Sequence, residues 1–403
     1  MNFNYLNIET LGQVFTPTQI TDFMINLVKN GKKILEPSAG NGVFVKELNK
    51  KGYVNITAIE IDNRFCKKNK FLCCDFFDFS IQNKFDTIIG NPPYVKYNKI
   101  IKTTKEKILN NKEINFSKIF DNRTNLYQYF IYKAILHLKN KGELIFITPR
   151  EFLKATSSIK LNEFIYNSGT ITDFIDLGDK KIFDKALPNV VIFRFEKGNF
   201  NRKTKYYNEL DIKNYTLKNF IHYNGQLFFL TEKYDVKFND IFYVKVGGVS
   251  GADKYYEHQD GIDFVCSYTA KTGKTKKMIY NIYHPHLEQY KDKLLNRRIK
   301  KFNENNWWEW GRKYYISNKP RIYVNCKTRN KNPFFIHPCK AYDGSILAVF
   351  PKKQVTESTL EKMKQYLNET NWEELGFYTN GRFLFSQRSL ENSLLPHKFK
   401  EFL

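Results

Sequence analysis

The chain has 403 residues, enough for two domains of ordinary size, each with its own core. Hydrophobic residues make up 42% of it, and the longest apolar runs, such as Leu144-Ile145-Phe146-Ile147, are strand-length, which excludes a membrane span of ~20 residues. Lys and Arg number 65 against 41 Asp and Glu, a formal charge of +24 that attracts polyanions, nucleic acid first, although a Lys-, Asn- and Ile-rich composition alone gives the same sign.

Met1-Asn2-Phe3-Asn4-Tyr5 lacks a basic stretch followed by an apolar core, so no secretory signal is readable and a cytoplasmic protein is expected. Helical spacing runs from Asp22 to Lys29. Lys32-Lys33-Ile34-Leu35 reads as a strand entering a Gly-containing turn, and Val43 to Lys50 as the helix after it. Ile56 to Ile59 and Phe85 to Gly90 are further strands. Residues 98–125 are polar and weakly periodic, the pattern of a long loop. Leu126 to Leu138 is an amphipathic helix, followed by the strand Glu143 to Ile147, and Ile171 to Ile175 and Val190 to Phe195 close the sheet. This alternation predicts a doubly wound α/β domain.

Residues 200–240 read as a connector, which sets the domains at 1–235 and 236–403. Between Ile241 and Asn330 there are 18 Lys/Arg against 8 Asp/Glu, with Arg297-Arg298, Lys300-Lys301 and Arg312-Lys313 around Trp307-Trp308 and Trp310. Each aromatic taken singly is expected in a core; the segment as a whole suits phosphate contacts and base packing. The six cysteines never form a C-x-x-C pair and are expected as free thiols. His284-Pro285-His286 has no neighbouring Cys or Asp to complete a set, so it reads as a loop and no metal is expected.

The chemistry-bearing residues cluster in the first half. Glu36-Pro37-Ser38-Ala39-Gly40-Asn41-Gly42 is a strand-to-helix turn whose glycines let a nucleotide-like ligand approach the backbone. Glu60, at the end of the next strand and 20 residues after Gly40, is placed for ribose hydroxyls. The missing third glycine favours one adenosine over a dinucleotide. Asn91-Pro92-Pro93-Tyr94 follows a strand directly. Alone it is an ordinary polar turn. After a Gly-x-Gly turn and an acidic strand end it gains a role: the Asn91 side-chain oxygen and Pro92 carbonyl can each accept one N–H of a planar amine, the prolines fix their aim, and Tyr94 offers a stacking face.

Together these residues resemble the γ group of N6-adenine DNA methyltransferases of the restriction-modification type, over roughly residues 10–197 by motif and over the rest by position and composition. The resemblance implies a Rossmann-like, S-adenosylmethionine-dependent methyltransferase domain with a C-terminal mixed α+β target-recognition domain. It implies cofactor contacts from Thr16 and Pro17 (within Gly12-Gln13-Val14-Phe15-Thr16-Pro17), Glu36, Ser38, Gly40, Gly42, Glu60, Ile61, Asp75 and Phe76. Asn91 to Tyr94 match the catalytic motif, Asn125-Leu126-Tyr127 and Ile147-Thr148-Pro149 look like later pocket motifs, and Phe183 is the candidate second ring against a flipped base. Double-stranded DNA is the implied partner, with a cognate restriction endonuclease a further candidate, and a monomer that associates with the nucleoid when bound to DNA is expected.

Methyl transfer to RNA or to a protein glutamine amide, cytosine N4 as target, and a non-catalytic DNA-binding subunit are the competing readings. Asp211-Ile212-Lys213 and Asp235-Val236-Lys237 also match a nuclease fragment, one that a Lys-rich chain produces by chance.

Overall fold

The computed structural model describes residues 16–177, 189–379 and 381–403. It divides into two compact units, Met1–Glu232 and Lys233–Leu403. No helix among the described residues is long and apolar enough to cross a membrane, and all six cysteines are free thiols.

The first unit is built on a ten-stranded sheet: β1 (Ile34–Glu36), β2 (Ile56–Glu60), β3 (Leu72–Cys73), β4 (Phe85–Gly90), β5 (Leu138–Pro149), β6 (Gly169–Asp176), β7 (Val190–Lys197), β8 (Lys203–Tyr207), β9 (Tyr215–Tyr223) and β10 (Gln226–Leu230). The spatial order is β3-β2-β1-β4-β5-β7-β6-β8-β9-β10. β1 to β5 pair in parallel, and β7 lies antiparallel between β5 and β6. The order reverses at β1, so the carboxyl ends of β1 and β4 flank the crevice where open parallel sheets bind ligands.

Alternation along each strand sends neighbours to opposite faces. Ile34, Ile89, Ile145, Ile147 and Ile192 face one core with helices α1 (Thr18–Asn26) and α2 (Val43–Lys50). Leu35, Ile88, Leu144, Phe146 and Phe193 face the other, which receives α5 (Leu126–His137) and α6 (Ile159–Ser168). The remaining α-helices of this unit among the described residues are α3 (Asn63–Asn69) and α4 (Lys102–Leu109).

A buried ionic group ties the strands together. Arg194, 3% exposed, donates to Glu143 Oε2 at 2.6 Å and lies 3.5 Å from Asp173, while Glu143 Oε1 also accepts from the Lys29 and Asn30 amides and Thr87 Oγ1. Tyr207 donates to Asp173 at 2.7 Å. Every charge here has partners, the condition for tolerating ions in a dry interior.

Several expectations are corrected. The first helix starts four residues earlier and ends at Asn26. The expected loop 98–125 holds α4 and buries Ile100, Ile108, Ile114, Phe116 and Phe120. Its order comes from side-chain bonds: Asn111 Nδ2 donates to the Phe77 carbonyl (3.0 Å), and Glu113 accepts from Ser80 Oγ (2.6 Å) and the Ile81 amide (2.9 Å). α5 is buried nearly all round rather than amphipathic, and β5 begins at Leu138. β6 and β7 do not close the sheet, because residues 203–230 add three strands where a connector was expected.

The second unit is a set of small sheets. The strands Phe242–Val246, Ile346–Pro351, Ile322–Asn325 and Phe334–Phe335 form one antiparallel sheet in that order. The others are Tyr234–Lys237 with Leu394–Pro396, the hairpin Glu257–Phe264/Lys276–Met278, and Lys327–Thr328 with Arg382–Leu384 and Tyr378–Thr379. Helix Glu357–Glu369 opens on a Thr356 cap. Trp307 and Trp310 are core residues, and Trp310 Nε1 donates to the Ile279 carbonyl at 2.9 Å. Arg297 is buried with them and donates to the carbonyls of Ser250, Leu294 and Trp307, so it braces the fold. Arg298, Lys301, Arg312, Lys313 and Lys319 are exposed. His284-Pro285-His286 is not a plain loop, since His284 caps the short 3-10 helix Pro285–Tyr290.

Candidate active site

The turn after β1 sits where its sequence predicts. Gly40 and Gly42 have φ of +52° and +81°, backbone that disfavours any side chain. A Cβ at Gly40 would meet no protein atom within 4 Å, whereas one at Gly42 would lie 2.7 Å from the Phe71 ring. Gly40 therefore borders open space and Gly42 is packed.

Glu60 closes this turn from β2. Its Oε2 accepts from the Gly40 amide at 2.6 Å, and its Oε1 accepts from the Ile61 and Asp62 amides at 2.9 Å each. Burial raises its pKa despite these bonds. Glu36 at the end of β1 is 1% exposed, and its Oε2 has no hydrogen-bond partner among the described residues. Burial, then the charge of Glu60, push its pKa well above the ordinary value. A buried polar atom without a partner marks a place where a ligand group can be met. Thr148 Oγ1, at the end of β5, is another. Ile61, beside Glu60, is 42% exposed although apolar.

Asn91 leaves β4 into this crevice. Its Nδ2 donates to Thr16 Oγ1 at 3.1 Å, and its carbonyl accepts from Ser38 Oγ at 3.1 Å. Thr16 is itself buried, and Pro17 caps α1. Pro92 is buried and Pro93 half-buried. The Tyr94 hydroxyl donates to the Ile147 carbonyl at 2.9 Å, and its ring meets Tyr127 edge-on at 6.2 Å, so burial, then Tyr127, hold its pKa well above the ordinary value. Asn125, the first residue of a later motif, caps α5, and the next amide, Leu126, donates to the Val95 carbonyl at 2.9 Å.

Asp75 and Phe76 follow β3. Asp75 accepts from the Phe77 amide (3.0 Å) and Thr104 Oγ1 (2.8 Å), with Lys107 Nζ at 3.7 Å. A carboxylate has about four acceptor positions, so capacity remains. The Phe76 ring points into the core against Phe130 at 5.0 Å and His137 at 5.4 Å, leaving its main chain as the part a ligand could reach. Phe183 and residues 12–15 lie outside the described residues.

Three supports are absent from the expected set: Thr104, Lys107 and Lys133. Lys133 is fully buried, donates to the Phe77 carbonyl at 3.1 Å and lies 5.0 Å over the Phe76 ring; burial lowers its pKa to about 8. A lone lysine in the largely apolar Leu126–His137 run was the available signal. The candidate nuclease residue Asp235 is occupied by Lys233, Lys400 and His397, and its pKa falls to about 2.

Residues 18–183 match the family model described as Eco57I restriction-modification methylase. The chain is 29% identical over 444 residues to the Type II methyltransferase M.HindII of Haemophilus influenzae (strain ATCC 51907 / DSM 11121 / KW20 / Rd), covering 89% of this chain and 83% of that protein. It is 38% identical over 192 residues to the Type II methyltransferase M.HincII of Haemophilus influenzae, covering 47% of this chain and 38% of that one. Among solved structures, the Type IIL restriction-modification enzyme MmeI in complex with DNA aligns at a TM-score of 0.49 and 10% identity, over 93% of this chain and 64% of that one.

Proposed function

We propose, from the premise that residues 18–183 belong to the Eco57I restriction-modification methylase family, that this protein transfers a methyl group from S-adenosylmethionine to the N6 amino group of an adenine flipped out of duplex DNA. The observation that carries the proposal is the Asn91-Pro92-Pro93-Tyr94 turn at the carboxyl end of β4, anchored by Thr16, Ser38 and the Ile147 carbonyl beside the open face of Gly40.

The crevice fits the cofactor. Glu36 offers a buried carboxyl oxygen without a partner, Gly40 a backbone that a ligand can approach, Glu60 a strand-end carboxylate and Ile61 an exposed apolar face. In this reading Thr16, Pro17, Glu36, Ser38 and Gly40 hold the methionine end on a turn that Gly42 shapes, Glu60 holds the ribose, and Ile61, Asp75 and the Phe76 main chain hold the adenine. Bound S-adenosylmethionine supplies an electrophilic methyl group on a sulfonium.

The protein's own work is to aim the acceptor. The Asn91 Oδ1 and Pro92 carbonyl take one amino N–H each, which draws the nitrogen lone pair out of the ring and stabilises the positive charge developing there. Tyr94 stacks on the base, offsetting the cost of a few kcal/mol for flipping it. Holding the amine in line with the methyl group supplies the remaining rate through proximity. The unit Lys233–Leu403 serves as the target-recognition domain, with exposed Arg298, Lys301, Arg312, Lys313 and Lys319 on phosphates. A monomer, and a cognate restriction endonuclease acting on the same site, complete the reading.

The test is transfer of labelled methyl from S-adenosylmethionine to unmodified duplex DNA, followed by hydrolysis. N6-methyladenine supports the reading. Label on N4 of cytosine, or transfer to RNA or protein glutamine offered in parallel and none to DNA, overturns it.

A further inference from the structure

Far in sequence from the catalytic and cofactor residues, the second unit gathers three histidines and a carboxylate. In the hairpin Glu257–Phe264/Lys276–Met278, both Glu257 and Ile262 pair with Met278, so the intervening residues bulge out of the ladder. The bulge carries His258 and Asp260. The other side is the His284-Pro285-His286 segment, whose missing acidic partner the fold thus supplies. Asp260 Oδ2 lies 3.4 Å from His258 Nδ1 and 3.5 Å from His284 Nε2. The ligand atoms of the three residues all fall within 4.8 Å of one another, and the His286 ring centre is 4.5 Å from that of His258.

Those separations have a chemical meaning. Both exceed the ~2.7–3.2 Å of an N–H···O bond. A tetrahedral zinc ion with nitrogen and oxygen ligands at ~2.0–2.2 Å sets its ligand atoms about 3.3–3.6 Å apart, the edge of the tetrahedron; the two Asp260 separations match that edge, and the His258–His284 pair, within 4.8 Å, closes to it on binding. Two imidazoles and one carboxylate suit a borderline transition cation, whereas magnesium and calcium call for more oxygen ligands.

We propose that His258, Asp260 and His284 form a binding site for a divalent transition cation of the zinc class, with a fourth position open to solvent. Coordination through His284 Nε2 puts the ring proton on Nδ1. The His286 amide, which donates to that Nδ1 at 3.2 Å, must then release it. In the same way His258 Nδ1 exchanges a long 3.3 Å contact from the Asp260 amide for the metal. The bound ion pins the 258–261 bulge to the start of the Pro285–Tyr290 helix, next to the stacked pair Tyr255 and Tyr290. This role is independent of methyl transfer.

The experiment is calorimetric titration of the full chain with zinc chloride, repeated on His284→Ala and His258→Ala, with cobalt(II) absorption as a second readout because the six free cysteines offer competing ligands. We expect one equivalent of zinc to be lost in each variant, a zinc-dependent rise in Tm of the wild type that the variants lack, and a cobalt spectrum with d–d bands but no thiolate charge-transfer band. Accelerated exchange of the His286 amide on binding follows from the tautomer change. Equal stoichiometry in wild type and variants, or a cobalt spectrum dominated by thiolate charge transfer, assigns the ion to cysteines and overturns the proposal; so does the absence of any binding.

Discussion

The side-chain nitrogen of Asn91 donates to Thr16 Oγ1 at 3.1 Å, joining the turn after β4 to a residue 75 positions earlier in the chain. This bond decides which end of the Asn91 amide is turned away from Thr16, namely Oδ1. Thr16→Val removes it at nearly constant volume. A bond worth ~0.5–1.5 kcal/mol predicts a fall in kcat of roughly 2- to 10-fold. Asn91→Ala removes the acceptor itself, and kcat should fall roughly 100- to 1000-fold with cofactor affinity little changed. Single-turnover rates beside equilibrium S-adenosylmethionine binding separate the two quantities, and equal loss of both would make the motif structural.

Tyr94 presents two separable parts, a ring and a hydroxyl held by the Ile147 carbonyl. Tyr94→Phe keeps the ring and should cost only a few-fold in turnover. Tyr94→Ala loses base stacking worth ~1–3 kcal/mol, a drop of roughly 5- to 150-fold. Similar rates in the two variants would show that the ring does not touch the base.

Gly40 and Gly42 should respond differently to alanine. Both carry the strain of positive φ, roughly 1 kcal/mol. Gly42→Ala additionally drives a Cβ into Phe71 and should show chiefly as a lower Tm. Gly40→Ala fills open space and should weaken S-adenosylmethionine binding about 10-fold or more with a smaller change in Tm. Thermal melts beside a binding isotherm check this.

Glu36 gives stability a pH dependence of known sign. Its pKa in the folded chain is raised above 4.5 by burial and by Glu60. The stability it contributes is therefore fully present below its unfolded value and is lost as pH climbs through the raised one. Glu36→Gln should match the wild type near pH ~4, melt higher at about pH 8, and bind cofactor more weakly. A wild-type Tm that rises across that window relative to the variant would reverse the assignment.

Arg194→Met leaves Glu143 and Asp173 as buried charges without their cation. The loss should be about 3–5 kcal/mol, read as a shifted urea midpoint. A shift under about 1 kcal/mol would mean that water reaches the group.

The elements that could be read from sequence are those bounded by their own chemistry. Val43–Lys50 and Phe85–Gly90 match to the residue because a glycine begins the one and ends the other. β9 escaped because of its nine residues only Phe220 is buried, so no alternation shows. The 98–125 segment escaped because its order rests on bonds from Asn111, Glu113 and Thr104 to residues 75–81, which leave no periodicity. Phe76 is a subtler case: adjacent Phe76 and Phe77 are both buried, so neither ring can be assigned to a ligand by position alone. The His258–Asp260–His284 group depends on a bulge, which local sequence does not announce.

Asn162, fully buried on α6, donates through one nitrogen toward the carbonyls of Phe152, Leu153 and Gly225 at 2.8–3.1 Å. The first two belong to the segment that follows Ile147-Thr148-Pro149 at the crevice; the third belongs to the hairpin turn between β9 and β10. The β9–β10 hairpin is thereby geared to the crevice wall, and an insertion at residues 224–225 would act as a remote throttle on turnover while sparing the far side of the pocket, where Gly40 and Glu60 sit.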